Sequence, residues 1–360
     1  MSAIAPVAVR TAYRETTAHP CMPVLERLCS EAASRFGAAG VRLIPGAVDE
    51  RVYSYVVRAA VQFPNEDHPR SHLYIKVFKP RQLSGTQTMR ERVVRDFETT
   101  RQIHDAMARW DDVGAVRPVA CYPEHLAIVT EEAPGVTLGA FLGTRAGWFP
   151  RSDTIRELAH VMATVGRWVR AFQAIDPQPG RISVADFRDY VDLRLQRLVR
   201  ETPALFRETD RSKVLAHIDL LAALVRPSDL AQGVVHADLA PGNVVVAGRR
   251  VVVLDFAMTR RGSVLQDVSR LYVQLDLMRA KPYFRRPVIR TLQKALLRGF
   301  DPNLAEDEPL FRLLLLRHHV NHLATLSLRR ERFPARAYNA YLRRMHRRWI
   351  DCELSSGARR

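Results

Sequence analysis

The chain has 360 residues, of which 47% are hydrophobic and 26% are charged. This balance is typical of a folded globular protein and excludes a disordered chain, and the length is sufficient for two lobes with separate cores. The formal net charge is +17, which indicates either an arginine-rich composition or an attraction to anions such as nucleotides, lipid head groups or nucleic acids. With 50 Arg and only 5 Lys, a lysine inside an apolar strand indicates a role that arginine cannot fill.

The four cysteines are scattered and form neither a CxxC pair nor the spacing of a metal site. A reducing compartment is therefore expected. The first residues lack the apolar segment of a secretory signal, and no run of 18 apolar residues occurs. These patterns predict a cytoplasmic protein without a membrane-spanning segment.

The first half of the chain is predicted to be rich in strands, with one long helix among them. A short helix closed by Gly37 comes first, and the turn signals at 45–46 and 64–69 then separate runs of β-branched residues. The predicted strands cover 41–44, 52–63, 72–79, 116–123 and 125–132, and the long helix covers about 86–110.

The second half is predicted to be mostly helical, because its apolar residues recur at helical spacing. A linker near 130–150 leads into it. Two valine-rich strands, at 244–246 and 251–256, interrupt the helices. The predicted helices cover 152–175, 184–200, 212–225, 285–300, 308–326 and 335–350.

Three polar residues flank the two valine strands, which the turn-forming AGRR segment joins into a hairpin. Asp238 and Asn243 precede the hairpin and Asp255 follows it. Because a hairpin brings its two ends together, the three side chains are expected to converge on a divalent cation with a base beside it.

His236, Asp238, Pro241 and Asn243 form the pattern HxDxxPxN, and a strand and the dipeptide DF follow. This pattern resembles the catalytic core of kinase-like phosphotransferases, most closely the aminoglycoside phosphotransferase type. The resemblance implies an α+β, two-lobed protein-kinase-like fold with a small β-rich N-lobe and a larger helical C-lobe. It also implies that Asp238 is the catalytic base and that His236 orients its loop. Asn243 and Asp255 would hold Mg²⁺ against the nucleotide phosphates.

The same resemblance implies a nucleotide site in the first lobe. Lys76, in the apolar segment LYIKVF, would contact the phosphates of ATP, with GTP as an alternative nucleotide. Either Asp96 or Glu98 on the following helix would pair with Lys76, and the sequence does not decide between them. Backbone groups from Glu131 to Ala133 would contact the adenine.

Four segments follow from this interpretation. Residues 1–40 form an N-terminal helical extension, 41–132 the nucleotide-binding N-lobe and 133–275 the C-lobe with the catalytic loop and metal site. Residues 276–360 are C-terminal helices that contribute the acceptor site and a basic surface. The resemblance covers about residues 40–275.

The length of one segment and the charge of the chain restrict the substrate. The residue expected to brace the catalytic loop, Asp267, comes only twelve residues after Asp255, which is too short for the peptide platform of a protein kinase. The predicted acceptor is therefore the hydroxyl of a small molecule, most readily a sugar, a glycolipid or a lipid head group. Polycationic aminoglycosides fit a chain of +17 poorly.

Alternatives remain open in the sequence. One is a non-catalytic kinase-like nucleotide-binding scaffold, and another is an aminoglycoside-type antibiotic kinase. Nucleic acid is not expected, since no recognised nucleic-acid motif accompanies the charge. The segment 328–350 carries eight Arg against one Glu, which indicates either a solvated helix or peripheral contact with the inner face of an anionic membrane. His318, His319 and His322 are interpreted as surface and packing residues of a helix, not as a metal site.

Overall fold

A computed structural model describes residues 19–64, 66, 69, 71–80, 85–327 and 333–357. The chain divides into two compact units. Unit 1 comprises the residues up to Ala108 together with Ala115–Pro134 and Leu254–Ala257, and unit 2 comprises Arg109–Gly114, Gly135–Val253 and Met258–Arg360. The β-rich N-terminal region and the helical C-terminal region confirm the predicted α+β class. Residues 1–18 of the predicted extension lie outside the described residues, and the predicted domain boundaries stay predictions.

Unit 1 is an antiparallel five-stranded sheet with one long helix on each face. The strands follow the spatial order β1-β2-β3-β6-β5. Their bounds, with those of the two helices, are α1 Met22–Phe36, β1 Arg42–Glu50, β2 Ser54–Gln62, β3 Ser71–Phe78, α2 Thr86–Met107, β5 Pro118–Tyr122 and β6 Ala127–Glu131.

The predicted turn at 45–46 is wrong. Strand β1 continues through Pro45 and Gly46, and its register against β2 shifts between Pro45 and Val48. Such a bulge absorbs a proline at a sheet edge, where its missing N–H costs no hydrogen bond of the interior ladder. The Pro45–Gly46 pair does mark an irregularity of the backbone, but that irregularity is a bulge in an edge strand and not a turn.

Helix α1 and the sheet share one core, to which alternate residues of β3 contribute Leu73, Ile75 and Val77. Since successive side chains of a strand point to opposite faces, Lys76 lies on the other face of the sheet. That face carries a smaller cluster with α2, which includes Val93. The alternation in LYIKVF thus determines on which face the lysine lies.

Unit 2 contains eight helices and two small sheets among the described residues. The sheets have the orders β4-β10-β9-β7 and β11-β8. The strands are β4 Val113–Ala115, β7 Val136–Thr137, β8 Gln232–Val235, β9 Val244–Ala247, β10 Arg250–Val253 and β11 Arg260–Ser263. The helices are α3 Leu138–Arg145, α4 Ser152–Gln173, α5 Val184–Glu201, α6 Glu208–Ala222, α7 Gln266–Met278, α8 Arg286–Phe300, α9 Pro309–Ser327 and α10 Ala335–Gly357.

Helix α9 is the central helix of the main core of unit 2, and it packs against α5, α6, α7 and α10. Its buried apolar residues are distributed around the helix and not confined to one stripe, as expected of a helix surrounded by neighbours. His318 and His319 are buried in it, so their interpretation as surface residues is wrong, whereas their interpretation as packing residues is confirmed. No group of three or more His, Cys, Asp and Glu residues that could hold a metal is found in the described part of the chain.

The basic helix α10 packs on α9 and α6. Arg347 is held by Asp210 at 2.7 Å, and Arg343 donates to the Leu326 carbonyl at 3.1 Å. Part of the positive charge of α10 is therefore used inside unit 2. None of the described helices is long and apolar enough to cross a membrane.

Helices α4 and α8 approach so closely that two glycines are required. A Cβ on Gly299 would lie 2.0 Å from the Ala163 carbonyl oxygen, and one on Gly166 would lie 2.3 Å from the Leu296 carbonyl oxygen. Both distances are far below van der Waals contact, and backbone atoms cannot rotate away. The glycines thus fix the separation of the two helices.

We expect Gly299→Ala to lower the free energy of unfolding by about 2–3 kcal/mol, because the added methyl group must push α4 and α8 apart. Denaturant unfolding of the wild type and the variant measures this difference. Gly143→Ala on α3 is the matched control, since its Cβ would meet nothing within 4 Å and alanine favours a helix. Equal losses in both variants would contradict the close-packing assignment.

Candidate active site

Lys76 lies on β3, the middle strand of the sheet in unit 1. Its Nζ atom is 2.9 Å from Oδ2 of Asp255, and the two side chains are 30% and 39% exposed. An ion pair this exposed contributes only about 0–1 kcal/mol. The predicted phosphate-binding lysine and one predicted metal ligand are thus brought together in a pair that a ligand can separate at low cost.

The structure distinguishes between Asp96 and Glu98, the two alternative partners of Lys76. Asp96 is 6% exposed and its Oδ2 atom has no hydrogen-bond partner. Burial raises the pKa of Asp96 to about 6, although Arg92 and Lys76 act in the opposite direction. Glu98 instead pairs with Arg101 on the same helix. Asp96 is therefore the acid that interacts electrostatically with Lys76 and still has an unpaired oxygen.

At the end of β6, where adenine is predicted to bind, one residue has backbone groups without a hydrogen bond within the described ranges. The N–H of Glu131 donates to the Arg117 carbonyl at 2.9 Å, and the N–H of Glu132 donates to the His72 carbonyl at 2.8 Å. Within the described ranges, Ala133 forms no hydrogen bond. The backbone of Ala133, and not the Glu131 N–H, is thus free to bind a ligand.

Asp255 follows the hairpin in a left-handed backbone conformation, with φ of 64°. The sequence predicted a strand as far as residue 256, but β10 ends at Val253 and a single helical turn begins at Phe256. A positive φ cannot continue a strand, and aspartate tolerates it better than most residues. The end of the strand therefore turns the chain at the residue whose carboxylate meets Lys76.

The loop between β8 and β9 is fixed by one buried carboxylate. Asp267, at the start of α7, is fully buried and accepts the backbone N–H of His236 at 2.6 Å and of Ala237 at 2.9 Å. Burial raises the pKa of Asp267, and these two hydrogen bonds act in the opposite direction. His236 is also buried, and its Nδ1 atom accepts the N–H of Asp238 at 3.3 Å. The loop thus has a defined shape, with Ala237 at φ of 62°.

Asn243 closes the same loop. Its Nδ2 atom donates to the backbone carbonyl of Asp238 at 3.0 Å. An amide has one donor end and one acceptor end, so this hydrogen bond leaves the side-chain oxygen of Asn243 for another partner. Asp238 and Asn243 are therefore brought together in unit 2, as the spacing predicted.

Arg270 is a site residue that the sequence analysis missed. Its Nη2 atom lies 2.5 Å from Oδ1 of Asp238, whose side chain is 45% exposed. A signal for it exists in the sequence, because Arg270 follows Asp267 by three residues on α7. Residues three apart lie on the same helix face, so an arginine one turn after the bracing aspartate is expected at the catalytic loop.

The chemistry of the side chains is suited to Mg²⁺. The predicted ligands, Asn243 and Asp255, provide an amide oxygen and a carboxylate oxygen, and Mg²⁺ prefers such hard oxygen donors and few of them. Each of these side chains has an oxygen that is not committed to a backbone hydrogen bond. The residues therefore fit the metal that the resemblance implies.

A model of the phosphotransferase enzyme family (APH) matches residues 82–310. The chain belongs to this phosphotransferase family. The match includes the HxDxxPxN loop, Asp255 and Asp267, and it establishes this protein as an enzyme of the kinase type. No curated protein sequence matches this phosphotransferase.

Solved structures similar to this phosphotransferase share its fold at low sequence identity. A choline/ethanolamine kinase family protein from Mesorhizobium loti is 14% identical, with a TM-score of 0.55 over 92% of this chain and 98% of that chain. Aminoglycoside phosphotransferase APH(4)-Ia is 16% identical, with a TM-score of 0.53 over 91% and 97%. Choline kinase from Cryptosporidium parvum is 11% identical, with a TM-score of 0.51 over 90% and 95%.

We expect Asp96→Asn to change the pH dependence of stability. Asp96 loses its proton near pH 3.8 when unfolded and near pH 6 when folded, so the wild type loses unfolding free energy as the pH rises through this window. At about 1.4 kcal/mol per pKa unit, the variant should gain about 2–3 kcal/mol over the wild type between about pH 4 and about pH 7. Denaturant unfolding across this range measures the gain.

The control for the loss of a carboxylate is Asp105→Asn, an exposed position on the same helix. A difference between wild type and Asp96→Asn that does not vary with pH would contradict the assignment of Asp96 as a buried, charge-strained acid.

Proposed function

We propose that this chain is an ATP-dependent phosphotransferase that moves the γ-phosphate to a hydroxyl group of a small molecule. The observation that carries the proposal is the braced loop of unit 2. There, Asp267 holds the backbone of His236 and Ala237, and Asn243 holds the carbonyl of Asp238. A loop fixed at both ends presents the Asp238 carboxylate in one position, as a general base requires.

Asp238 is proposed to accept the proton of the acceptor hydroxyl and to orient its oxygen for in-line attack. One carboxylate oxygen is paired with Arg270, so the second oxygen is proposed to receive the proton. Asp267 and Asn243 act through the backbone and position the base without touching the acceptor.

The nucleotide is proposed to bind in unit 1. Lys76 would exchange Asp255 for the α and β phosphates, and Asp96 would orient the lysine as it moves. The open backbone of Ala133 would bind adenine, with Glu131 beside it. A variant of APH(4)-Ia crystallised with ADP and hygromycin B supports ATP as the donor, and GTP remains the alternative.

Asn243 and Asp255 are proposed to hold Mg²⁺. When bound, the ion would neutralise the phosphate oxygens of the nucleotide. If Asp255 separates from Lys76, Lys76 would be free to bind phosphate and Asp255 would be free to bind Mg²⁺. Each side chain would thus exchange one partner of opposite charge for another.

The acceptor is proposed to be a sugar, a glycolipid or a lipid head group. The similar structures include kinases of choline and the complex with hygromycin B, which supports a small hydroxyl compound in general. The net charge of +17 disfavours a polycationic antibiotic. Contact of α10 with an anionic membrane stays a prediction, for which Arg344 and Arg348 are the exposed residues.

Magnesium should be needed for nucleotide-dependent stabilisation, because a ligand that binds only the folded state raises the melting temperature. We expect AMP-PNP to raise it several degrees more with Mg²⁺ than with EDTA. Asp255→Ala should remove this Mg²⁺-dependent part. The control is Asp49→Ala, which removes an exposed carboxylate that pairs with Arg51. An equal shift with and without Mg²⁺ in the wild type would contradict the metal assignment.

Asp238→Asn tests catalysis against a scaffold role. The variant keeps the size of the side chain but loses the charge, so phosphate transfer should fall by roughly 10²–10⁴, the usual contribution of a positioned general base. The affinity for nucleotide should change by less than about tenfold. ATP turnover with sugars, glycolipids, choline and hygromycin B measures transfer, and calorimetry measures affinity.

The matched control is Asp219→Asn, which disrupts an Arg–Asp pair on the surface of unit 2. Wild-type protein that binds the nucleotide but transfers phosphate to no acceptor, water included, would support the scaffold alternative. Near wild-type turnover in Asp238→Asn would place the base elsewhere.

A further inference from the structure

Three arginines of unit 2 are grouped together, and one of them contacts the proposed base. Arg260 lies on β11, Arg270 on α7 and Arg317 on α9, and we call them the arginine cluster. Arg270 reaches Asp238 at 2.5 Å. Arg317 is close enough to Arg260 and Arg270 for both to lower its pKa. Arg270 therefore connects the arginine cluster to the proposed base.

Two hydrogen bonds between α7 and α9 hold this arrangement in place. The Oγ atom of Ser269 is 3.1 Å from Nε2 of His318, and the Nε2 atom of Gln274 is 3.3 Å from Nε2 of His322. These contacts lie one residue before Arg270 and one turn after it. Arg270 and Arg317 are thus presented by packed helices and not by a loop.

Arg317 has no acidic partner among the residues that the structure describes. Burial is the main cause that lowers its pKa to about 10, so the guanidinium is still charged at neutral pH. Its contact is with the ring of Phe187, whose centroid is 5.8 Å away. Arg317 is only partly buried, but a charge that has lost part of its hydration and has no counter-ion is still costly. Such a group is expected where a ligand supplies the missing negative charge.

The nearby carboxylates cannot supply that charge. Asp267 is fully buried and receives two backbone N–H groups, and Asp238 is paired with Arg270. Two further polar atoms are buried without a partner, namely Nε of Arg270 and Oδ1 of Asn321. Asn321 lies one helical turn after Arg317, on the same face of α9. The region therefore holds unused donors and an unused acceptor.

We propose that the acceptor is an anion, specifically a hydroxyl compound that carries a phosphate or carboxylate group bound by Arg317 and Arg270. The proposal rests on the proposed function and names its substrate class. The guanidinium groups would donate to the oxyanion in the paired geometry that arginine favours. Asn321 would accept a second hydroxyl of the same compound.

The same cluster selects against cations. An ammonium group placed beside three arginines meets like charge in a partly buried site, where repulsion is stronger than in water. Hygromycin B and choline should therefore be poor acceptors. Part of the positive charge of the chain is thus located next to Asp238, on Arg270.

The test uses binding, so that the identity of the natural acceptor is not needed. The full-length protein is first saturated with Mg²⁺ and AMP-PNP, which closes the nucleotide site to other phosphates. Glucose 1-phosphate, glucuronate, glucose and glucosamine are then titrated by calorimetry at constant ionic strength. We expect saturable binding of the two anions, and binding at least tenfold weaker for glucose and glucosamine. Vesicles with and without phosphatidylglycerol test whether the anion is instead carried by a lipid.

Arg317→Gln should weaken anion binding at least tenfold, since it removes a charge-assisted hydrogen bond. Arg317→Lys should restore part of it. Arg344→Gln, an exposed position on α10, removes the same charge and should leave anion binding unchanged. The melting temperature of Arg317→Gln should equal or exceed that of the wild type, because the variant removes a partly buried charge that has no acidic partner among the described residues.

Equal binding of all four sugars, or anion binding that Arg317→Gln and Arg344→Gln weaken equally, would overturn the proposal. So would saturable binding of glucosamine alone. If the protein binds neither Mg²⁺ nor AMP-PNP, the proposed function is contradicted instead. In that case, anion titrations of the nucleotide-free wild type and of Arg317→Gln still test whether Arg317 binds the anion.

Discussion

The loop between β8 and β9 depends on one fully buried carboxylate. Asp267 accepts the N–H groups of His236 and Ala237, and removing a carboxylate from water is tolerated only when such hydrogen bonds replace its hydration. The consequence is a loop that cannot adopt other shapes without leaving this group unpaired. The positions of Asp238 and Asn243 follow from that constraint, and a positive φ at Ala237 is the conformational cost.

The four charged side chains of the candidate site form two ion pairs. Lys76 pairs with Asp255, and Asp238 pairs with Arg270. All four side chains remain partly exposed, so each pair contributes little to stability and can be separated by a ligand of suitable charge. Asp96 is the contrasting case, because its burial raises its pKa to about 6. A side chain kept at a cost to stability is typical of a functional site.

Much of the site was predictable because its signals are local. HxDxxPxN before a valine hairpin predicted Asp238, Asn243 and Asp255, and the alternation of LYIKVF marked Lys76. The errors also have physical causes. A proline–glycine pair marked a bulge in the edge strand β1, not a turn. His318 and His319 lie in α9, which neighbouring helices surround, and a polar residue gives no sign of being buried until those helices are known.

The sequence by itself determined the fold class, the strand that carries Lys76 and the loop that carries Asp238, since hydrophobic periodicity and short-range spacing decide these features. Only the tertiary structure decided between Asp96 and Glu98, identified Ala133 as the open backbone position and placed Arg270 beside Asp238. Those outcomes depend on which side chains lose water and on which partners they then meet. Burial and pairing between residues far apart in sequence are properties of the folded chain, and no local pattern encodes them.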